Sequence, residues 1–461
     1  MNLVDAAAFA EKMFAAGQSV EAIAQFTRGL DVVSKRNSVA ISESEISSVS
    51  DLPELADLPE EIDPEVLEQS VVIKLNGGLG TGMGLAGPKS LLEVRDGQTF
   101  LSLILRQLKS IQSEHGSAVR TLLMNSFSTS KATMSYLSEM DGGAGVEEML
   151  QSKVPKVLAD EMTPAEWPAD PDLEWCPPGH GDIYATLMGS DKLDALLDAG
   201  VRYAFISNSD NLGAILDPQI LTHFARSESP MMMEVTRRTP ADRKGGHLAI
   251  RDADGRLILR ESAQCAKSDM AMFQDIERHR YFNTNNLWLR LDVLKEVMVA
   301  QNGLLALPVM ANHKTLDPRD PSSPAVIQIE TAMGGAIECF EGASAIVVDR
   351  SRFAPVKTTN DLLGLRSDAY RIDESGAVRL ADSRRGNPPT IALDENHYKA
   401  VDSFERLFPH SAPSLIKCDE LRVDGAVTFA DGVVISGKVQ VVSPDKGQIA
   451  AGRYADETVN V

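Results

Sequence analysis

Cysteine is scarce in this chain. Four stand among 461 residues, Cys176, Cys265, Cys339 and Cys418. They form no C-x-x-C pair and no Cys/His cluster, which excludes a zinc module and argues against a disulfide framework. Such sparing use in a long chain implies a reduced, cytoplasmic setting. Long hydrophobic runs are also missing: none approaches the ~20 apolar residues of a membrane span. The opening stretch carries Asp5 and Glu11 inside its apolar part, unlike a cleavable signal. Basic residues are in deficit, 45 Lys and Arg against 66 Asp and Glu, for a formal net charge of −21. A surface of that sign repels nucleic acid and anionic membranes, so neither is expected as a partner. It also repels nucleotides, so a phosphate site in this chain needs lysines placed locally. With 43% hydrophobic and 24% charged residues, the composition is that of an ordinary globular protein of two or three domains.

What the chain does have is glycine in one place. Leu75 to Ser90 reads LNGGLGTGMGLAGPKS and follows the apolar run Val71-Val72-Ile73, which reads as a buried strand. Gly77, Gly78, Gly80, Gly82 and Gly84 fall within eight positions, and Gly87 precedes Pro88 and Lys89. Glycines let main-chain N–H groups approach a ligand closely. An N–H-rich turn after a strand, ending in a lysine, suits a polyphosphate. Two familiar motifs are imitated here. Gly82, Gly84 and Gly87 match G-x-G-x-x-G, but Pro88 interrupts where the dinucleotide fingerprint opens a helix, and Leu91–Val94 reads as another short strand. Gly82 to Ser90 nearly spells a P-loop, but Pro88 puts Lys89 out of register with the β- and γ-phosphates. A glycine-rich surface loop without ligand is the plainer alternative.

Residues 1–65 read as a helical segment, with Ile23, Phe26 and Leu30 on one face, followed by an acidic, proline-bearing linker over Ser42–Pro64. From 66 to 375, short apolar runs alternate with helical periods. Candidate strands include Val71–Leu75, Thr121–Met124, Tyr203–Ser207, Met231–Thr236, Leu287–Leu291 and Ala345–Val348. This alternation predicts an α/β domain with a Rossmann-like, mixed central sheet, whose ligands lie beyond the carboxyl ends of strands. Residues 376–461 have a different rhythm. Leu421, Val427, Val433 and Val439 recur every six positions, and Val423, Phe429, Ile435 and Val441 form a second series. Glycines at 425, 432 and 437 supply turns. Two such series match a short β-helix, with a β-meander as the plainer alternative. Open coil ends make self-association through this domain an expectation.

Eight segments carry a resemblance: LNGGLGTGMGLAGPKS, LLMNSF at 122–127, PPGHGDIYA at 177–185, SNSDNLGA at 207–214, KGGHL at 244–248, FNTNNLW at 282–288, QIETAMGGAI at 328–337 and RSRFAPVKTTNDLL at 350–363. In this order they resemble the eukaryotic-type UTP–glucose-1-phosphate uridylyltransferases (UDP-glucose pyrophosphorylases). Related N-acetylhexosamine-phosphate enzymes usually carry arginine where Met83 stands, which favours the glucose branch. The resemblance implies a nucleotidyltransferase domain with a left-handed β-helix behind it. It also implies UTP and glucose 1-phosphate as substrates, and UDP-glucose and pyrophosphate as products. A sugar-phosphate oxygen would attack the α-phosphorus in line. That nucleophile is already anionic, so the protein must neutralise charge and align groups rather than supply a base. Mg²⁺ is the cofactor this implies.

Residue by residue, the resemblance assigns Lys89 and Lys357 to the phosphates and Asp210 to Mg²⁺. It gives uridine the main chain of Leu75, Gly77, Gly78 and Gly179, with Met124 packed nearby and Gln151 on the uracil edge. His180 would orient the sugar phosphate. Asn285, Asn286 and Glu330, with the main chain of Gly246, would hold sugar hydroxyls, and Asn208 the ribose or glucose. Plainer readings stand beside these: Asp210 as a helix cap, His180 as a satisfied core histidine, Asn208 as a turn residue and Gln151 as a surface side chain. His247, where a smaller residue is expected, departs from the pattern. Two alternatives remain for function: the same chemistry with galactose or N-acetylhexosamine phosphates, and a silent nucleotide-sugar sensor.

Overall fold

The chain is described here from a computed structural model covering residues 5–35 and 40–461; the first four residues of the opening stretch lie outside it. Its centre is a ten-stranded mixed sheet of β1 (Ile46–Ser48), β2 (Ser70–Asn76), β3 (Arg120–Asn125), β4 (Val146–Leu150), β5 (Tyr203–Asn208), β6 (Met231–Arg237), β7 (His247–Arg251), β8 (Leu257–Arg260), β9 (Tyr281–Arg290) and β10 (Ser344–Val347). Along its main path the order is β1-β7-β9-β5-β2-β3-β4, with β6 between β9 and β10 and β8 on β7. The half β5-β2-β3-β4 is parallel. The other half is antiparallel apart from the β6–β10 pair.

All seven residues of β2 are buried, as expected of a parallel strand covered on both faces. One cover is the helix Phe100–His115. Thr99 and Ser102 cap its start reciprocally, and Gly116 ends it at a φ of +71°, a left-handed terminus that glycine favours. The expected strand at Leu91–Val94 is shorter: Lys89–Leu91 forms a 3₁₀ turn and the strand runs Glu93–Arg95. The expected Leu287–Leu291 strand starts six residues earlier, and Leu291 already opens a helix. The acidic linker is not wholly irregular. Its Ile46–Ser48 pairs with β7 as an edge strand, because Ile46 finds an apolar patch with Ala249 and Ile258.

The N-terminal helices Ala6–Ala15 and Val20–Ser34 bury Phe9, Met13, Phe26 and Leu30 against Val154, Val157, Ile327 and Ile329. At the other end, Thr390–Leu393, Ser414–Phe429, Val433–Ile449, Gly452–Ala455 and Thr458–Asn460 form a sheet in which every pairing is parallel. Leu421 lies beside Val439 and Val423 beside Val441, eighteen positions on. Three six-residue steps therefore make one pass, and all eight residues of the two apolar series are at most 2% exposed. Gly425 sits at a φ of +96°, where a Cβ would overlap the Ser443 carbonyl. The apolar core of this region continues through Tyr398, Val401 and Phe404 to Met83 of the glycine loop. Among the described residues no helix is long and apolar enough to cross a membrane.

Candidate active site

The parallel strands β2, β3 and β5 end in Asn76, Asn125 and Asn208. Asn76 pairs in register with Asn125, and Asn208 with Leu75. Beyond them a buried polar network fixes the first glycines. Asn76 Nδ2 donates to Asn125 Oδ1 (2.7 Å) and Thr133 Oγ1 (3.1 Å), and its Oδ1 accepts from Ser209 Oγ (3.1 Å). Thr129 Oγ1 donates to the Asn76 carbonyl and Ser126 Oγ to the Gly77 carbonyl, each at 2.8 Å. Gln151 is 8% exposed and donates from Nε2 to the Gly179 carbonyl at 2.8 Å. A Cβ on Gly77 would come within 2.5 Å of Gln151 Oε1, so any larger residue there would displace the Gln151 amide. Gly179 has φ +80° and ψ 167°, and a Cβ there would overlap the Thr331 carbonyl. Gly77, Gln151 and Gly179 thus meet at one end of a cleft, with Gly78 following into open space. Leu75 and Met124 lie beneath it, in the hydrophobic core. Met124 is 1% exposed in the core, so its side chain does not line the cleft, and the Leu75 carbonyl accepts from Ser209 N at 3.1 Å.

The glycine loop closes on itself, with Leu79 bridged to Pro88, and delivers Lys89. Lys89 Nζ lies 2.8 Å from Asp210 Oδ2. The other carboxylate oxygen, Oδ1, is buried without a hydrogen-bond partner. The Asp210 carbonyl accepts from Val356 N at 3.1 Å, which brings the 350–357 segment alongside. Lys357 is exposed, one residue before Thr358, whose side chain and Asp361 cap the helix Thr359–Arg366 reciprocally. His180 Nδ1 accepts from Met333 N at 3.0 Å, which leaves the ring proton on Nε2. Burial, reinforced by the nearby Lys357 ammonium and opposed by Asp210, brings the His180 imidazole down to about 4. The imidazole is therefore neutral at pH 7, with Nε2–H left free to donate. Lys89, Asp210, His180 and Lys357 share one neighbourhood, although they come from separate stretches of the chain.

Beyond Lys357 the sugar side departs from expectation in three ways. First, Glu261, which carries no motif, joins the neighbourhood of Gly246 and Lys357. A Cβ on Gly246 would lie 2.6 Å from its carboxyl, and burial pushes its carboxyl up against the pull of Lys357. Glu330 turns towards Asn312 and Lys314 on the adjoining strand, its carboxyl likewise raised by burial. Second, Asn286 is fully buried. Its Nδ2 donates to Glu234 Oε2 (3.0 Å) and the Arg352 carbonyl (3.2 Å), so it holds structure and offers nothing to a ligand. Asn285 is different. It stands at φ +61°, in a bulge where β9 loses register with β6 between Glu234 and Val235, and bulges re-aim side chains. Third, His247 faces inwards, stacked on His279 at 3.9 Å. Asn208 is half-buried, and its carbonyl accepts from Asn211 N at 3.3 Å. No cluster of three or more His, Cys, Asp or Glu side chains suited to a metal occurs among the described residues.

The profile of the family described as UTP–glucose-1-phosphate uridylyltransferase matches residues 22–436. The enzyme of that name from Saccharomyces cerevisiae is 39% identical over 385 residues, covering 83% of this chain and 76% of its own. That from Solanum tuberosum is 41% identical over 383 residues, covering 82% and 78%. Among solved structures, a variant UDP-glucose pyrophosphorylase from Leishmania major in complex with UDP-glucose superposes with a TM-score of 0.94 at 45% identity, over 100% of both chains. A UDP-glucose phosphorylase from Trypanosoma brucei gives 0.92 at 46% identity, over 99% of both. The chain belongs to the UTP–glucose-1-phosphate uridylyltransferase family.

Proposed function

We propose that this protein is a UDP-glucose pyrophosphorylase, converting UTP and glucose 1-phosphate to UDP-glucose and pyrophosphate. The observation that carries this is the convergence of Lys89, Asp210, His180 and Lys357 beyond the carboxyl ends of β2 and β5. Family membership along nearly the whole chain supports it.

In the reaction a phosphate oxygen of glucose 1-phosphate forms a bond to the UTP α-phosphorus. The bond from that phosphorus to the β-phosphate bridging oxygen breaks, and pyrophosphate leaves with the electron pair. Two polyanions must meet in a chain of net charge −21, so their mutual repulsion is the first barrier to lower. Lys89 meets the UTP phosphates from the glycine loop, and Lys357 meets the phosphorus undergoing substitution from the opposite wall. His180 donates from Nε2 to the sugar phosphate. The main chain of Gly77 and Gly78, with Gln151 and Gly179, holds uracil and ribose, Asn208 assisting. Glu261, the Gly246 main chain and Asn285 receive the sugar hydroxyls.

The unpartnered Oδ1 of Asp210 fits a single-carboxylate Mg²⁺ site whose remaining ligands are phosphate oxygens and waters. An ion held there would supply charge neutralisation and phosphate alignment.

The C-terminal sheet fits a short left-handed β-helix, supported by its all-parallel pairing and eighteen-residue pass. We take the units to be residues 1–65, 66–375 and 376–461, with self-association through the last. Pyrophosphate release with Mg²⁺, UTP and a panel of sugar 1-phosphates tests the function. Glucose 1-phosphate should be turned over fastest. Equal rates with galactose or N-acetylglucosamine 1-phosphate would defeat the specificity, and UDP-glucose binding without turnover would leave a sensor.

A further inference from the structure

Asp210 and Lys357 reach the cleft on separate loops, and one buried side chain joins those loops. Asn211 is 2% exposed. Its Oδ1 accepts from Gly213 N (3.2 Å) within its own loop and from Ala354 N (3.0 Å) across the gap. Its Nδ2 donates across the same gap to the Arg352 carbonyl (3.0 Å), and to Asn286 Oδ1 (3.4 Å). Both N–H donors and both oxygen lone pairs of the amide are thereby engaged. Asn211 also bridges Pro355 through the main chain, and a Cβ on Gly213 would overlap the Ser351 carbonyl. The two loops are therefore in direct main-chain contact.

The far anchor is rigid as well. Arg352 makes a two-pronged ion pair with Glu234, Nε to Oε2 at 2.8 Å and Nη2 to Oε1 at 2.7 Å. Glu234 also accepts from Trp288 Nε1 (3.0 Å) and Asn286 Nδ2 (3.0 Å). This fully buried carboxylate fixes Arg352, Arg352 presents its carbonyl to Asn211, and Asn211 sets the three residues that lead to Lys357. A planar bidentate pair in a dry interior permits little rotation.

We propose that Asn211 is a positioning residue for the uridylyl transfer, acting through Lys357 by clamping the 352–357 segment onto the loop of Asp210. This rests on the function proposed above. Displacing a charge by about 1 Å from its working position costs on the order of a hundredfold in rate.

The test is a double-mutant cycle on the full chain, with kcat measured at saturating Mg²⁺, UTP and glucose 1-phosphate. Asn211→Ala should lower kcat roughly 30- to 100-fold while the UTP KM changes less than about threefold. Added to Lys357→Ala, it should slow that enzyme by less than about threefold, because the side chain it positions is gone. Hydrogen exchange of the 352–358 peptide supplies a reading without turnover: the Ala354 and Val356 amides should exchange at least about tenfold faster in Asn211→Ala, beyond the change seen at amides of the central sheet. If Ala at 211 does not fold, Asn211→Ser carries the same cycle. Multiplicative losses in the double variant, or unaltered exchange, overturn the proposal. A Lys357→Ala enzyme with normal turnover overturns it too, by removing Lys357 from the reaction. A wild-type protein that releases no pyrophosphate while the exchange change is seen sinks the function and leaves the clamp as architecture only.

Discussion

The two ends of the cleft are built on opposite plans. At the uridine end, Gly77, Gln151 and Gly179 meet over strand termini, and a neutral network of Asn76, Asn125, Ser126, Thr129 and Ser209 fixes them from beneath. In the proposed function, specificity there would come from main-chain geometry. At the phosphate and sugar end, Lys89, Asp210, Lys357 and Glu261 all sit on loops, and their positions depend on contacts between segments far apart in the chain. The difference follows from what each end receives. A base is flat, uncharged and recognised by shape and hydrogen bonds, whereas a triphosphate must have charge brought to it. The uridine end therefore depends on what each residue's backbone can adopt, and the other end on which charges are present.

The sharpest way to test that contrast is to remove a charge. Lys89→Ala should lower kcat on the order of 10² to 10³-fold, the usual loss when a preorganised electrostatic group is deleted. Its Tm should hardly move, since the Lys89–Asp210 pair is part-exposed and such pairs add little to stability. An enzyme that keeps near-normal turnover would break the comparison. A single methyl group at the other end should do the reverse. Gly179→Ala forces alanine into a dihedral region that is almost exclusively glycine's, against the Thr331 carbonyl. It should cost about 3 kcal/mol in denaturant unfolding and weaken UTP binding with it. Unchanged stability would show that the turn can relax.

The sugar end offers a paired comparison. Glu261→Ala should raise the KM for glucose 1-phosphate roughly tenfold, as expected for losing a charged acceptor. Glu330→Ala should change it less than about twofold. The opposite ranking would restore the sequence-based assignment of Glu330. The smallest effect concerns pH. The folded His180 sits near 4, against about 6.5 for an unfolded histidine. Between those values the unfolded chain binds a proton that the native one refuses. This group's contribution is therefore complete above pH 6.5 and is lost as pH falls towards 4. Protonation at Nδ1 would also set two donors, His180 and Met333 N, against each other. Tm should fall less steeply over that window in His180→Gln than in the wild type. Parallel curves would remove His180 as the source.

Residues whose chemistry depends on local backbone were legible in the sequence. The glycine loop, the strand ends before Asn76 and Asn208, and Lys89 after Pro88 could be placed from spacing and turn chemistry alone, because a strand–turn junction is a local object. The period-six series at 421–441 was equally visible, since all eight of its residues are buried in the parallel sheet. Glu261 was not legible. It follows an ordinary strand, Leu257–Arg260, and its place depends on Gly246 approaching from another strand. Asn286 and Glu330 looked like ligands because their segments resemble ligand-bearing ones. Which face Asn286 occupies on its bulged strand is decided by pairing with β6, and the surroundings of Glu330 by pairing with the strand Val309–Thr315.

By itself, then, the sequence determined the kinds of chemistry this protein can hold: a glycine loop suited to phosphate and sparse but placed lysines in an acidic chain. These follow from residue type and short-range dihedral preference, which act within a few positions. Only the tertiary structure decided which charges share a space. Lys89 and Asp210 are 121 positions apart, and Asp210 meets the Lys357 segment through a single main-chain bond and the Asn211 side chain. Charge neutralisation depends on distances of a few ångströms, which strand order and loop packing set and no local pattern encodes.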